Sequence, residues 1–244
     1  MSQHFKLTRI KRLTGYRTLS RVTMLAGVAA IGGCNADSNV APAPPQGLVQ
    51  FINAASRYSS VDLNVDSTDV AAGQAYGSGT SVNVAAKATP QQFLVNITGD
   101  TTVLATSMVQ VSDKSVYTVI LTQRVVGAGL LVLPDTVTAP SGNTANLRVI
   151  NASPSAGLVD VYITGTDTTL ANPVSVNLPI EGISPYVNVP VGAGRVRVTA
   201  AGTTKVLLDI DATTLHPGQV RTVLMIDSPG GGLPVVGLAI PDLG

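Results

Sequence analysis

Apolar and polar residues alternate along much of this chain with a period of two. Arg195-Val196-Arg197-Val198-Thr199 is unbroken, and Val159-Asp160-Val161-Tyr162-Ile163 and Leu147-Arg148-Val149 follow the same rule. Successive side chains on a strand point to opposite faces, so this pattern predicts Val196 and Val198 in a core and both arginines in water. Turn signals fall at short intervals: Gly99-Asp100, Ser112-Asp113, Gly127-Ala128-Gly129, Pro154-Ser155, Gly192-Ala193-Gly194 and Pro217-Gly218. Beyond residue 34, no window longer than about ten residues keeps a 3.6 period free of Gly, Pro or β-branched runs. The expectation is an all-β protein with little helix.

The pattern is also duplicated. Phe51-Ile52-Asn53-Ala54 matches Val149-Ile150-Asn151-Ala152, and Val61-Asp62-Leu63 matches Val159-Asp160-Val161, both at an offset of 98. Tyr117-Thr118-Val119-Ile120-Leu121 aligns with Arg221-Thr222-Val223-Leu224-Met225, and Leu131-Val132-Leu133-Pro134-Asp135 with Leu238-Ala239-Ile240-Pro241-Asp242. The offset grows to 107, which predicts nine inserted loop residues in the second copy. A period near 100 exceeds solenoid repeats of roughly 20–50 residues and points to duplicated domains. Seven or so short strands in about 95 residues per copy predict two tandem Ig-like or transthyretin-like β-sandwich domains. The expected boundaries are 47–135 for the first and 146–244 for the second, with a linker over 136–145.

The front of the chain reads differently. Lys6, Arg9, Lys11, Arg12, Arg17 and Arg21 precede any acid, and the first carboxylate is Asp37. The apolar run Val22–Gly33 is shorter than the ~20 residues that span a bilayer as a helix, so it reads as an export signal over 1–33. Ile31-Gly32-Gly33-Cys34 resembles the bacterial lipobox: an aliphatic residue, two small ones, then cysteine. That resemblance implies cleavage between Gly33 and Cys34, with Cys34 acylated and holding the protein to a membrane. Cys34 is the only cysteine in 244 residues. Residues 34–46, with Pro and small side chains, read as a tether. Asn35 rather than Asp after the cysteine implies the outer membrane of a Gram-negative envelope.

Removing the signal changes the charge balance. Six of the fifteen Lys and Arg lie before Cys34 and none of the fourteen acids does, so the mature chain carries a net charge of −5. A weakly acidic body without a basic cluster excludes nucleic acid as a partner. With a single cysteine, the mature protein has no internal disulfide and stands on its core.

Leu147-Arg148-Val149-Ile150-Asn151-Ala152-Ser153-Pro154 followed by Val159-Asp160-Val161-Tyr162 resembles the opening of the bacterial domain-of-unknown-function 4397 family. The second copy follows that pattern; the first departs from it, with Ala55-Ser56 at the Ser-Pro turn and Leu63-Asn64 for Val-Tyr. The resemblance implies an exported β-sandwich domain, often in tandem and on lipoproteins, and no activity.

Candidate chemistry is sparse. His216 is the only histidine of the mature chain, so no multi-histidine metal site can form, and no Gly-x-Ser-x-Gly elbow accompanies it. Asp62 and Asp160 hold equivalent positions and are the candidate ligand contacts; the plainer reading has them bonding backbone N–H groups of a neighbouring turn. Asp66, Asp69 and Asp167 make no regular calcium loop. Glu181 is the only glutamate and tryptophan is absent, which argues against a glycosidase pair and a stacking platform. No catalytic residue, metal or cofactor is expected. The expected function is a structural or interaction module of the envelope, or alternatively a glycan- or peptide-binding adhesin using loops at one end, with Tyr58, Tyr162 or Tyr186 as contacts if exposed.

Overall fold

The computed structural model describes residues 43–244 apart from 166–168, 193, 212–214 and 242–244, and the side chains of 211 and 241 are also left aside. The signal, Gly33 and Cys34 therefore lie outside the described residues, as does Asp167. Residues 44–244 form one compact unit.

The first copy contributes β1 (Gln46–Ala54), β2 (Ser60–Val65), β3 (Thr68–Ala75), β4 (Ser78–Ala85), β5 (Gln91–Ile97), β6 (Val103–Val109), β7 (Val116–Gln123) and β8 (Ala128–Pro134). The second contributes β9 (Thr144–Asn151), β10 (Val159–Thr164), β11 (Ser175–Leu178), β12 (Val187–Pro190), β13 (Arg195–Ala200), β14 (Val206–Asp211), β15 (Val220–Ile226) and β16 (Val236–Pro241). Among the described residues there is no helix. The sheets run β4-β1-β7-β8 and β3-β2-β5-β6 in the first copy, β12-β9-β15-β16 and β11-β10-β13-β14 in the second. Each copy thus has eight strands in the same order. The first strand pairs parallel with the seventh (β1/β7 and β9/β15) and antiparallel with the fourth. The four sheets form two sandwich-like pairs, with the first strand beside the fourth and the seventh rather than beside the second as in immunoglobulin domains.

Register locates the inserted residues. The pairs Leu48↔Asn83 and Asn146↔Asn188 correspond, so the offset rises from 98 to 105 between β10 and β12. It is 104 at β15 and 107 at β16, which puts three more residues in the β15–β16 loop. The β2–β3 connection is only Asp66 and Ser67, at φ 48° and 68°, the paired left-handed geometry of a two-residue hairpin turn that follows strand twist. Its counterpart is longer, and in it Thr169 lies over the outer face of β13. Arg197 is consequently only 4% exposed, and its Nη2 donates to the Thr169 carbonyl at 2.8 Å and the Thr164 hydroxyl at 3.2 Å. Strand alternation predicts Arg197 in water; the inserted segment overturns that. Arg195, on the same face but nearer the sheet end, ion-pairs with Asp209 at 2.6 Å in partial contact with solvent.

Three apolar cores result. Phe51, Leu63, Phe93, Val119 and Leu121 fill the first sandwich; Leu147, Val149, Val161, Val198, Val223 and Met225 fill the second. The third lies between the copies: Ile52, Ala54, Ile120, Leu133, Ile150, Ala152, Leu224, Ile226 and Ile240. It pairs equivalent positions, Ile52 with Ile150, Ala54 with Ala152 and Ile120 with Leu224, so the two copies meet back to back about a pseudo-two-fold axis, as an isologous dimer would. The central strands are apolar on both faces for this reason, which shows as continuous runs such as Val119-Ile120-Leu121 and Val223-Leu224-Met225-Ile226.

Candidate functional site

β1 and β9 run in the same sense, so the loops that follow them lie at one pole. There the β1–β2 turn, the β7–β8 hairpin, the β9–β10 turn and the β15–β16 loop enclose an open cleft of about 340 Å³. Ser56, Arg57, Gln123 and Arg124 line it from the first copy, and Pro154, Ser155, Asp227 and Gly230–Gly232 from the second. The chain enters at the opposite pole, where the Gln46 N–H donates to Asp113 Oδ1 at 3.1 Å and the Lys114 N–H to the Gln46 carbonyl at 2.7 Å.

The repeated asparagine builds the turns. Asn53 is fully buried; its Nδ2 donates to the carbonyls of Tyr58 (2.9 Å) and Gln74 (3.2 Å), and its Oδ1 accepts from the Ala55 N–H at 3.1 Å. Asn151 repeats this with the carbonyls of Gly157 (2.9 Å) and Leu178 (3.2 Å) and the Ser153 N–H (3.1 Å). Each side chain thereby satisfies three backbone groups that a tight turn would leave buried and unpaired.

The two halves of the cleft have diverged. Arg57 stands where the second copy has Ser155, Gln123 where it has Asp227, and Arg124 where it has Ser228. Asp227 is 3% exposed and tightly held. Ser153 Oγ makes a short hydrogen bond to its Oδ1, Ser155 Oγ donates to Oδ2 at 2.8 Å, and the Gly232 N–H donates at 3.2 Å. Its own carbonyl accepts from Tyr76 Oη of the other copy at 2.5 Å. Burial, and the nearby Asp227 charge, push the Tyr76 hydroxyl well above the ordinary phenol range.

Glu181 clasps the copies from the second side. It occupies the place of Gly77, at φ 61° against 71°, and each N–H bonds the carbonyl of its own copy's asparagine (Asn151 at 2.7 Å, Asn53 at 2.8 Å). A non-glycine residue at such a φ costs of order 1–3 kcal/mol. In return its carboxylate crosses the junction, accepting from Thr122 Oγ1 at 2.5 Å and from Arg124 Nε and Nη2 at 2.9 Å each. Burial raises the Glu181 carboxyl, but the Arg124 and Thr122 hydrogen bonds outweigh it and hold the group below the usual range. Among the described residues, Arg57 is the cation of the cleft without a hydrogen bond or ion pair.

The sequence-predicted contacts lie elsewhere. Asp62 Oδ1 accepts from the Gly73 N–H and Thr98 Oγ1, both at 2.7 Å. Asp160 accepts from the N–H groups of Asn177 and Gly202, both at 2.8 Å. Gly73 and Asn177 are left-handed, at φ 64° and 53°, where each edge strand bulges. Both carboxylates are engaged by backbone or hydroxyl donors on the outer sheets, and neither lines the cleft. Tyr162 is 8% exposed, Tyr58 packs against the first core, and Tyr186 lies under the Arg148 guanidinium at 4.5 Å; none of the three is exposed. His216 sits in the turn closed by the Gln219 N–H at the far pole. Among the described residues no three His, Cys, Asp or Glu side chains are grouped to hold a metal. Arg57, Gln123 and Asp227 went unnoticed in the sequence; the signal was the departure of the first copy's turn from Ser-Pro.

The fold and cleft define a duplicated, two-sandwich protein whose facing loops from both copies meet at one pole. Residues 47–162 match the family model described as Domain of unknown function (DUF4397), and the chain carries a DUF4397-like domain there. The match begins in the copy that departs from the Ser-Pro pattern and ends at Tyr162 of the other. No curated protein matches the chain. Among solved structures, a family 26 carbohydrate-binding module of Eubacterium rectale Amy13K, in complex with maltoheptaose, is similar at 11% identity and TM-score 0.24 over 79% of this chain and 96% of that one. A streptococcal virulence factor described as binding alpha-glucan is similar at 9% identity and TM-score 0.24 over 73% and 92%. Likeness at that level carries no argument about a ligand.

Proposed function

We propose that this chain is a lipid-tethered envelope protein acting as a non-enzymatic interaction module, with the loop cleft as its recognition surface. The observation that carries the reading is polarity: the chain enters at one pole and the loops of both copies converge on the other. β1 alone has nine residues, and at 3.3 Å each this separates the poles by about 30 Å. A protein held on its N-terminal side by Cys34 is held at the entry pole, leaving the loop pole to meet a partner. Asn35 supports placement in the outer membrane.

The setting of Asp227 supports a binding rather than a catalytic role. The cleft's carboxylate, Asp227, is saturated by Ser153, Ser155 and Gly232 and has no histidine beside it to complete a nucleophilic site. The one carboxylate that distinguishes the halves, Asp227 against Gln123, is the group these donors hold.

Intact mass of the protein from its native membrane, beside a Cys34→Ala form, tests the anchor. The expected mass is that of residues 34–244 plus acyl chains, lost in the variant; an unprocessed chain refutes it. Peptide and glycan arrays probed with the full chain test the module, and the expected result is a ligand whose signal drops when Gly230–Gly232 is replaced by serines. Turnover of any arrayed substrate overturns the non-enzymatic reading.

A further inference from the structure

We infer that the cleft takes a polypeptide segment carrying a carboxylate beside aliphatic side chains, with Arg57 receiving the carboxylate. This rests on the cleft being the recognition surface and specifies its ligand chemistry.

The cation comes first. Arg57 is exposed at the cleft edge and, among the described residues, makes no hydrogen bond or ion pair, while Arg124 of the same copy is neutralised by Glu181 at 2.9 Å. In a mature chain of net charge −5, a lone uncommitted arginine beside a cleft selects a negative group by complementarity. Arg57 exists because the first copy departs from the Ser-Pro turn; the second copy has Ser155 at that position.

The rim comes second. Val125 and Val126 at the tip of the β7–β8 hairpin are 75% and 86% exposed, and Leu233, directly after the lining glycines, is 51% exposed. Large aliphatic side chains on loops around a cleft mark a protein contact, where burial of apolar area supplies the affinity. No aromatic ring lines the cleft, so a sugar ring finds no flat apolar face there. The three glycines at φ 89°, 91° and 86° meet almost no neighbouring atoms where a Cβ would stand, and so leave a bare floor for a close-lying backbone. Gln123, also in the lining, donates its Nε2 to the carbonyls of Arg124 and Gly127 at 2.8 Å each, which holds the hairpin that presents Val125 and Val126.

The test uses the full chain in detergent and three probes: a short peptide alternating leucine and glutamate, its leucine–glutamine analogue, and polygalacturonate as an acidic glycan. Binding is followed by amide chemical shifts. The expected result is saturable binding of the acidic peptide, with shifts at 56–57, 123–127 and 230–233. Affinity should fall about tenfold for the glutamine analogue and for Arg57→Gln, recover in part for Arg57→Lys, and weaken with salt. Val126→Ser should weaken it severalfold without altering the salt dependence. Equal binding of the two peptides, or no effect of Arg57→Gln, overturns the inference. If polygalacturonate shifts the cleft loops and the acidic peptide does not, this inference fails and the module reading stands. If no probe shifts those loops and the arrays are blank, both fail.

Discussion

Asn53 and Asn151 occupy the same place in the two copies and make the same set of hydrogen bonds, two donated to backbone carbonyls and one accepted from a backbone N–H. The repeated Ile-Asn-Ala is therefore a turn-building device. Truncating Asn151 to alanine leaves the carbonyls of Gly157 and Leu178 and the Ser153 N–H unsatisfied. The expected loss is about 2–4 kcal/mol, read from the urea midpoint by circular dichroism. A change within error in both Asn151→Ala and Asn53→Ala would show that water replaces the side chain.

Asp160 and Asp62 are equivalent in sequence but unequal in burial. Asp160 is 6% exposed with both oxygens on backbone N–H groups; Asp62 uses one oxygen in a wetter setting. Asp160→Ala should cost about 2 kcal/mol and Asp62→Ala about 1 kcal/mol or less. The reverse order in thermal or urea unfolding would contradict the anchoring role.

Leu224 lies in the core between the copies, beside Ile150 on the neighbouring strand and in one cluster with Ile120 of the other copy. Leu224→Ala should cost about 2–5 kcal/mol, as for other buried leucines. Leu224→Asp buries a charge between the sheets and should split a single calorimetric transition into two. One cooperative transition in the aspartate variant would mean that the sandwiches stand together without this core.

Glu181 and Arg124 lose their clasp in acid. The folded Glu181 carboxyl sits below its unfolded value, so its contribution is complete above the unfolded value, about 4.3, and is lost as pH falls through the lower folded value. With Arg124 half exposed, the amount is small, about 0.5 kcal/mol. The melting temperatures of wild type and Glu181→Gln should differ slightly at neutral pH and converge below the folded value. A Cβ at Gly129 would stand 2.3 Å from Glu181 Oε1 and 2.5 Å from Arg124 Nε. Gly129→Ala should therefore displace these flexible ends and cost no more in combination with Glu181→Gln than alone. Additive losses would break that link.

Much of the fold was legible from residue order. Val196 and Val198 sit in the core as their alternation requires, and the duplication appears as matching strand orders. Arg197 is the instructive departure. Alternation assigns a face, but whether a face meets water depends on what lies over it, and nothing local signals that Thr169 comes to lie over Arg197. The double-sided burial of β1, β7, β9 and β15 left its mark as unbroken apolar runs, yet those runs do not name their partner.

The sequence by itself determined the all-β class, the two copies and the turn positions, because side-chain period and backbone preference are local properties. Tertiary structure alone decided that the copies pack back to back, that Asp62 and Asp160 face away from the cleft, and that Arg57, Gln123 and Asp227 share it. Gln123 and Asp227 are 104 residues apart, and they meet because two parallel strand pairs bring their loops to one pole. That adjacency depends on which apolar faces find each other, a choice made by the whole chain.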